Sequence, residues 1–313
     1  LELAKMNKLD EVFMNWLKTE NHFCNSLVDR IVPGKLPEQD KISMEQKLGY
    51  SDELMIMAES FRLWVLESED ERVKNILSFS HADEGMLITP DIGKFRELKL
   101  RLLNGTHSFV CGLAYLAGFK TVKEAMEDHL ISSVVQNLMM NEIAVAMADD
   151  SIPYQDACNF AAKVMDRFRN PYIDHRWMSI SIQYSLKMKM RNIPLLIKHY
   201  SKTAEAPELM ALGFAAFLLF MKSNVNSNGQ YFGRVNDSEY WVQDEYAGYF
   251  AEKWKTSDGN YVVDSVLADK NFWDAELDKL NGFSDLVKSY IDSLQQNGVM
   301  QTIRGLQLQK TEV

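Results

Sequence analysis

Residues 99–108 read Lys-Leu-Arg-Leu-Leu-Asn-Gly-Thr-His-Ser, a leucine-filled run carrying a lysine, a carboxamide and an imidazole at spacing K-x4-N-x2-H. Leucines in most of the gaps call for a largely buried helix. On an ideal helix turning about 100° per residue, Asn104 lies roughly 140° and His107 roughly 80° around from Lys99. All three side chains then fit on one broad face, and the long Lys99 stem reaches down the axis towards the other two. A buried amine beside a carboxamide and an imidazole takes a proton from an alcohol or polarises a carbonyl.

That chemistry needs these residue types. Oxidising a secondary alcohol requires a base for the hydroxyl proton while a hydride leaves the carbon. Burial disfavours an ammonium ion and brings a lysine towards the range where it acts as a base. The alkoxide that forms needs neutral donors aimed at it, which an Asn side chain supplies. His107 donates to or accepts from the same oxygen. Each residue also has a plainer reading: a lysine that snorkels to solvent, an Asn-Gly helix C-cap, and a histidine satisfied in the core. Taken as a set within one apolar helix, the three favour catalysis.

Composition narrows the partners. Among 313 residues the formal net charge is −10, and the sequence pI is about 5.2. Such a surface disfavours nucleic acid, and an anionic ligand would need a local cationic pocket. Cys24, Cys111 and Cys158 are isolated, odd in number and without a C-x-x-C pair, so no disulfide framework is expected and a reducing cytoplasm fits. The six histidines show no paired metal-ligand spacing, so no metal is implied. The N-terminus shows no signal-peptide pattern. The most apolar run, Leu209–Met221, has thirteen residues, too few to span a bilayer of about 30 Å. It reads as a buried core helix.

Periodicity predicts a mainly helical chain. Residues 4–20 read as one helix with Met6, Leu9, Val12, Phe13, Trp16 and Leu17 along a face. Residues 21–33 read as short extended segments and 34–48 as a polar connecting loop. Thr89-Pro90 is expected to open a helix that runs through the signature segment to Leu116 and ends at Ala117-Gly118. A long helix over 121–148 follows, then one from Pro153 to about Arg169, broken by Asn170-Pro171. Further helices are expected near 176–190, 206–222, 243–254 and 277–295, with a loop over 224–240.

Four blocks, in order, resemble the polyol-specific long-chain dehydrogenases, the mannitol dehydrogenase family. They are Asn25-Ser26-Leu27-Val28-Asp29-Arg30-Ile31, Glu59-Ser60-Phe61-Arg62-Leu63-Trp64-Val65-Leu66-Glu67, Arg96 to Ser108, and Arg167 to Lys187 with Arg169-Asn170-Pro171, His175-Arg176 and Ser185-x-Lys187. The resemblance implies a mainly α fold. Residues 1–48 would be the tail of an α/β Rossmann domain and 49–313 a helical substrate and catalytic domain. It implies a metal-independent reductase or dehydrogenase using NAD, with Lys99 as general acid/base, Asn25 and Asn104 stabilising the alkoxide, and His107 orienting the hydroxyl. No G-x-G-x-x-G is present, so the cofactor-binding residues are expected mainly upstream of Leu1, in a truncated chain. Where polyol-oxidising members carry glutamate three residues before the lysine, this chain has Arg96; position 179, often arginine, is serine. Arg96, Arg176 and Lys187 are thus candidate substrate-binding cations. They lean towards the branch that interconverts D-tagaturonate and D-altronate, a sugar acid rather than a neutral polyol. Arg96 is otherwise a solvated charge paired with Glu97 or Asp91. Alternatives are a branch acting on fructuronate or mannitol, or a non-catalytic helical module that binds a sugar or a partner.

Overall fold

The computed structural model describes residues 1–256 and 258–311. By contacts the chain divides into two compact units, one of residues 1–31 and 60–96, the other of 32–59 and 97–313. The described strands are β1 (Ser26–Asp29), β2 (Gly34–Lys35), β3 (Ile56–Met57), β4 (Leu63–Glu67), β5 (Met86–Thr89), β6 (Ser223–Val225), β7 (Tyr231–Val235) and β8 (Ser238–Trp241). Helices make up most of the rest, as the periodicity predicts.

The first unit is built on a three-stranded sheet in the order β1-β4-β5. β1 runs antiparallel to β4, pairing Leu27 with Val65, and β4 runs parallel to β5, pairing Val65 with Leu87. The parallel pair needs a crossover, supplied by the helix Glu71–Ile76 and the 3-10 turn Ser78–His81. The boundary expected at residue 48 falls elsewhere, because β4 and β5 complete the sheet that β1 begins. The single helix expected over 4–20 is two, Glu2–Met6 and Glu11–Thr19. Lys8 takes a left-handed φ of 53°, and the Asp10 side chain accepts from Phe13 N–H at 2.7 Å, restarting the helix as its N-cap. Thr89 ends β5 instead of capping a helix. The next helix opens at Gly93, whose N–H donates to the Asp91 carboxylate at 2.7 Å.

In the second unit the stretch expected as a loop over 34–48 contains a helix, Glu38–Leu48. Its charged residues form an exposed helix that starts after Pro37 and stops at Gly49, where φ is 78°. The apolar segment Glu208–Phe220 is buried all round and packs against the helices Thr106–Leu116 and Phe283–Thr311. Close approach rests on two glycines. A Cβ at Gly112 would lie 2.7 Å from the Ala216 carbonyl oxygen, and one at Gly213 would lie 2.8 Å from that of Phe109.

The helix expected over 121–148 breaks at Asp128, whose side chain caps Leu130 and Ile131 N–H. The part beyond it, His129–Met147, is long and apolar enough by length and composition to cross a membrane, which the run 209–221 is not. Here it lies in the core, with Leu130, Ile131, Leu138, Met139 and Ile143 buried. The buried Glu142 carboxylate accepts from Leu209 and Met210 N–H at 2.7 and 2.8 Å. The helix expected over 176–190 is interrupted at Gln183, where φ is 54°. The loop expected over 224–240 is the antiparallel sheet β6-β7-β8. Its Asn and Gly clusters form the turns, with positive φ at Gly229 and Asn236.

Candidate active site

The signature segment lies within one continuous helix from Gly93 to Leu116, and residues Lys99–Gly105 are a π-helical turn of it. Asn104-Gly105 is therefore not a helix end. The i→i+5 bonding of a π turn brings residues five apart as close as i and i+4 on an α-helix. Asn104 thus sits about one turn below Lys99, nearer than the ideal α-helix predicts. Lys99 and Asn104 are half-buried, while Leu102, Leu103 and Gly105 between and beside them are buried. This turn packs against two further π-helical stretches, Met188–Asn192 and Leu138–Ile143. Asn192 donates from Nδ2 to the Gly105 carbonyl at 3.1 Å.

His107 is buried within an aromatic cluster. Its ring stacks on Phe168 at 4.2 Å and meets His175 edge-on at 5.1 Å and Trp177 at 6.1 Å. Among the described residues, His107 Nε2, His175 Nδ1 and Trp177 Nε1 are all buried with no hydrogen-bond partner. Unsatisfied buried polar atoms are rare in folded proteins, and three in one ring cluster make it a candidate for polar chemistry. Burial, with the neighbouring His175, holds the His107 imidazolium well below its ordinary range. Burial and the Lys187 charge lower His175 to about 4. Both rings are neutral at neutral pH, suited to share hydrogen bonds rather than to carry charge.

Two cations face this helix from the chain's 184–192 helical segment. Lys187 donates to the Ile180 carbonyl at 2.8 Å, and burial followed by the Arg191 charge lowers its pKa. Arg191 Nη1 donates to the Asn104 carbonyl at 3.5 Å and to Ser108 Oγ at 3.3 Å. Tyr184 locks the two segments together. Its hydroxyl donates to the Ser108 carbonyl at 2.7 Å and accepts from Gly112 N–H at 2.9 Å. Below Phe168, the buried Arg167 and Glu59 form an ion pair at 2.7 Å that also uses Arg167 Nε.

The sequence-predicted residues are thus placed unevenly. Lys99, Asn104 and His107 share one helix, and Lys187 acts electrostatically on His107. Asn25 is exposed in the first unit, where its Nδ2 donates to the Glu67 carboxylate. Glu67 in turn takes Ile92 N–H at 3.3 Å, and its own N–H donates to the Asn25 carbonyl at 2.9 Å. Arg96 is exposed on the same helix three residues before Lys99. Neither carboxylate proposed for it takes it: Glu97 pairs with Arg101 at 3.0 Å, and Asp91 caps Gly93. Arg176 is exposed and lines a separate cleft of about 560 Å³ with Tyr115, Lys120, Thr121, Glu124 and Asp174, away from Lys99, Asn104, His107 and Lys187. Sequence reasoning missed Arg191, His175, Tyr184 and the Glu59–Arg167 pair. Glu59, Arg167, His175 and Tyr184 lie within the blocks that resemble the family, and Arg191 stands four residues after Lys187 on a helix face.

Residues 2–77 match the family description "Mannitol dehydrogenase Rossmann domain" and residues 91–295 match "Mannitol dehydrogenase C-terminal domain". An altronate oxidoreductase of Phocaeicola vulgatus is 32% identical over 95% of this chain and 60% of its own length. One of Bacillus subtilis is 32% identical over 100% of this chain and 62% of its own. The chain thus spans about 60% of the length of the curated relatives it matches. Among solved structures, Pseudomonas fluorescens mannitol 2-dehydrogenase, in a ternary complex with NAD and D-mannitol, superposes with a TM-score of 0.73 at 24% identity, covering 97% of this chain and 58% of that one. At that identity the likeness speaks for the fold, a helical domain following an α/β start. With a domain match covering well over half its residues, the chain belongs to the mannitol dehydrogenase family.

Proposed function

We propose that this chain is the catalytic portion of a cytoplasmic NAD-dependent oxidoreductase that interconverts D-tagaturonate and D-altronate. The observation that carries the reading is the K-x4-N-x2-H set on one buried helix, in a chain about 30% identical over nearly its whole length to altronate oxidoreductases. Cys24, Cys111 and Cys158 are unpaired, in keeping with a reducing compartment.

In this reading Lys99 exchanges the hydroxyl proton of the substrate. Asn104, and Asn25 with its carboxamide oriented by Glu67, donate hydrogen bonds to the developing alkoxide. His107, neutral and held against Phe168, fixes the direction of the reacting hydroxyl. Arg96, Arg176 and Lys187 are the proposed substrate cations, and Lys187 has the strongest structural support because it faces the His107 cluster. The dinucleotide, when bound, supplies or accepts the hydride. No glycine-rich phosphate loop exists among the described residues, so they do not by themselves fit a pyrophosphate, and no residue here is assigned to hold it.

Oxidation of NADH by the native protein, followed with D-tagaturonate, D-fructuronate and D-fructose, tests the assignment. Preference for tagaturonate is expected. Preference for fructose would discard the uronate reading, and no turnover with any ketose would discard the enzymatic one.

A further inference from the structure

Arg191 is half-buried, yet among the described residues no carboxylate lies within ion-pairing distance of it. Glu97, on the adjoining helix, is taken by Arg101 at 3.0 Å. That same Arg101 donates to the Arg191 carbonyl at 2.6 Å. Lys187, one helical turn earlier, has no carboxylate within that distance either. Asp244, which acts on it electrostatically, spends its oxygens on Ser185 N–H at 2.7 Å, Ser185 Oγ at 2.6 Å and Tyr246 N–H at 2.9 Å. Two like charges at i and i+4 on a half-buried face repel. Burial lowers the pKa of both; for Lys187 the Arg191 charge adds to it, and Asp244 opposes it without reversing the direction.

The guanidinium is also oriented. Nη1 is held by the Asn104 carbonyl and Ser108 Oγ on the signature helix. Nε and Nη2, the edge that takes a carboxylate through two parallel bonds, have no acceptor among the described residues. The contact with Asn104 ties that edge to the residue proposed to meet the alkoxide. We propose that Arg191, with Lys187 one turn before it, is the subsite that clamps the carboxylate of a sugar-acid substrate. The inference rests on the sugar-acid reading above and names Arg191 as its specificity-determining residue. A net charge of −10 over the whole chain makes such a local pair the kind of feature that admits an anion to an otherwise acidic molecule.

The test uses Arg191→Gln, which keeps a donor for Asn104 and removes the charge, and Arg191→Lys, which restores charge without the fork. For the native protein, kcat/KM is measured on D-tagaturonate and on D-fructose. Tryptophan fluorescence separately follows binding of D-altronate and of its neutral alditol. In Arg191→Gln the uronate-to-ketose ratio should fall about 10- to 100-fold, mainly through KM, as losing a charge-assisted contact implies. Arg191→Lys should recover part of it. The Gln variant should bind acid and alditol alike, where the wild type prefers the acid. A Gln variant that keeps the wild-type ratio, or that loses both substrates in parallel, overturns the assignment of Arg191. A wild type with no preference for the acid in either readout overturns the sugar-acid reading itself.

Discussion

At the scale of single residues, the proposed chemistry turns on one amine. Lys99→Ala in the native enzyme should lower turnover by about 10²- to 10⁴-fold, the usual worth of a positioned acid–base group. Turnover within a factor of two of wild type would remove Lys99 from the mechanism. Asn104→Ala should cost a comparable 10²–10³-fold in kcat, the scale seen when one oxyanion donor is lost. Arg96 is a sharper question, because Glu97 and Asp91 are otherwise engaged. If it serves the substrate, Arg96→Ala loses more activity on the uronate than on fructose; equal losses would return it to a solvated helix charge.

Elements explain why those residues hold their places. The signature helix crosses Glu208–Phe220 at glycines from both sides, so a methyl at Gly112 runs into the Ala216 backbone at 2.7 Å. Gly112→Ala should destabilise the protein by about 1–3 kcal/mol, as overpacking does. It should also disturb the adjacent Tyr184 contact with Gly112 N–H. A chemical-denaturation midpoint unchanged from wild type would show that the helices can separate at no cost. The buried Glu59–Arg167 pair precedes Phe168 in the chain. Glu59→Ala removes a carboxylate from a buried guanidinium and should cost about 3–5 kcal/mol. A chemical-denaturation midpoint unchanged from wild type would show that the pair adds nothing to the fold.

For the molecule as a whole, the buried histidines set the acid limit. His175 has a folded pKa near 4 against an ordinary 6.5. Between those values the unfolded chain binds the proton and the folded chain does not, so stability rises with pH across that window. Its contribution is complete above about pH 6.5 and is lost as pH falls towards 4, amounting to roughly 3 kcal/mol for this one group. His107, depressed in the same direction, steepens the loss. Denaturation midpoints measured from pH 7.5 to 4 should fall accordingly, and His175→Gln should flatten the slope. An unchanged slope in that variant would place the acid sensitivity elsewhere.

The chain's own pattern was enough to predict a mainly helical fold, the helix ending at Gly118, the buried run 209–220 and the grouping of Lys99, Asn104 and His107. Each of these depends on spacing or local capping within a few residues, which is information a sequence carries directly. What lay outside it needed partners distant along the chain. β4 and β5 are strands because they pair with β1 and each other, and β6 to β8 turn polar clusters into hairpins. The helix over 38–48 has no buried face whose periodicity could announce it. The π turn, the stacking of His107 on Phe168 and the poise of Arg191 over Asn104 arise from packing between segments about 60 to 90 residues apart. Residue types and spacing therefore carry the proposed chemistry. Tertiary packing decided which cations stand beside it, because burial and the absence of a counter-charge exist only once those segments meet.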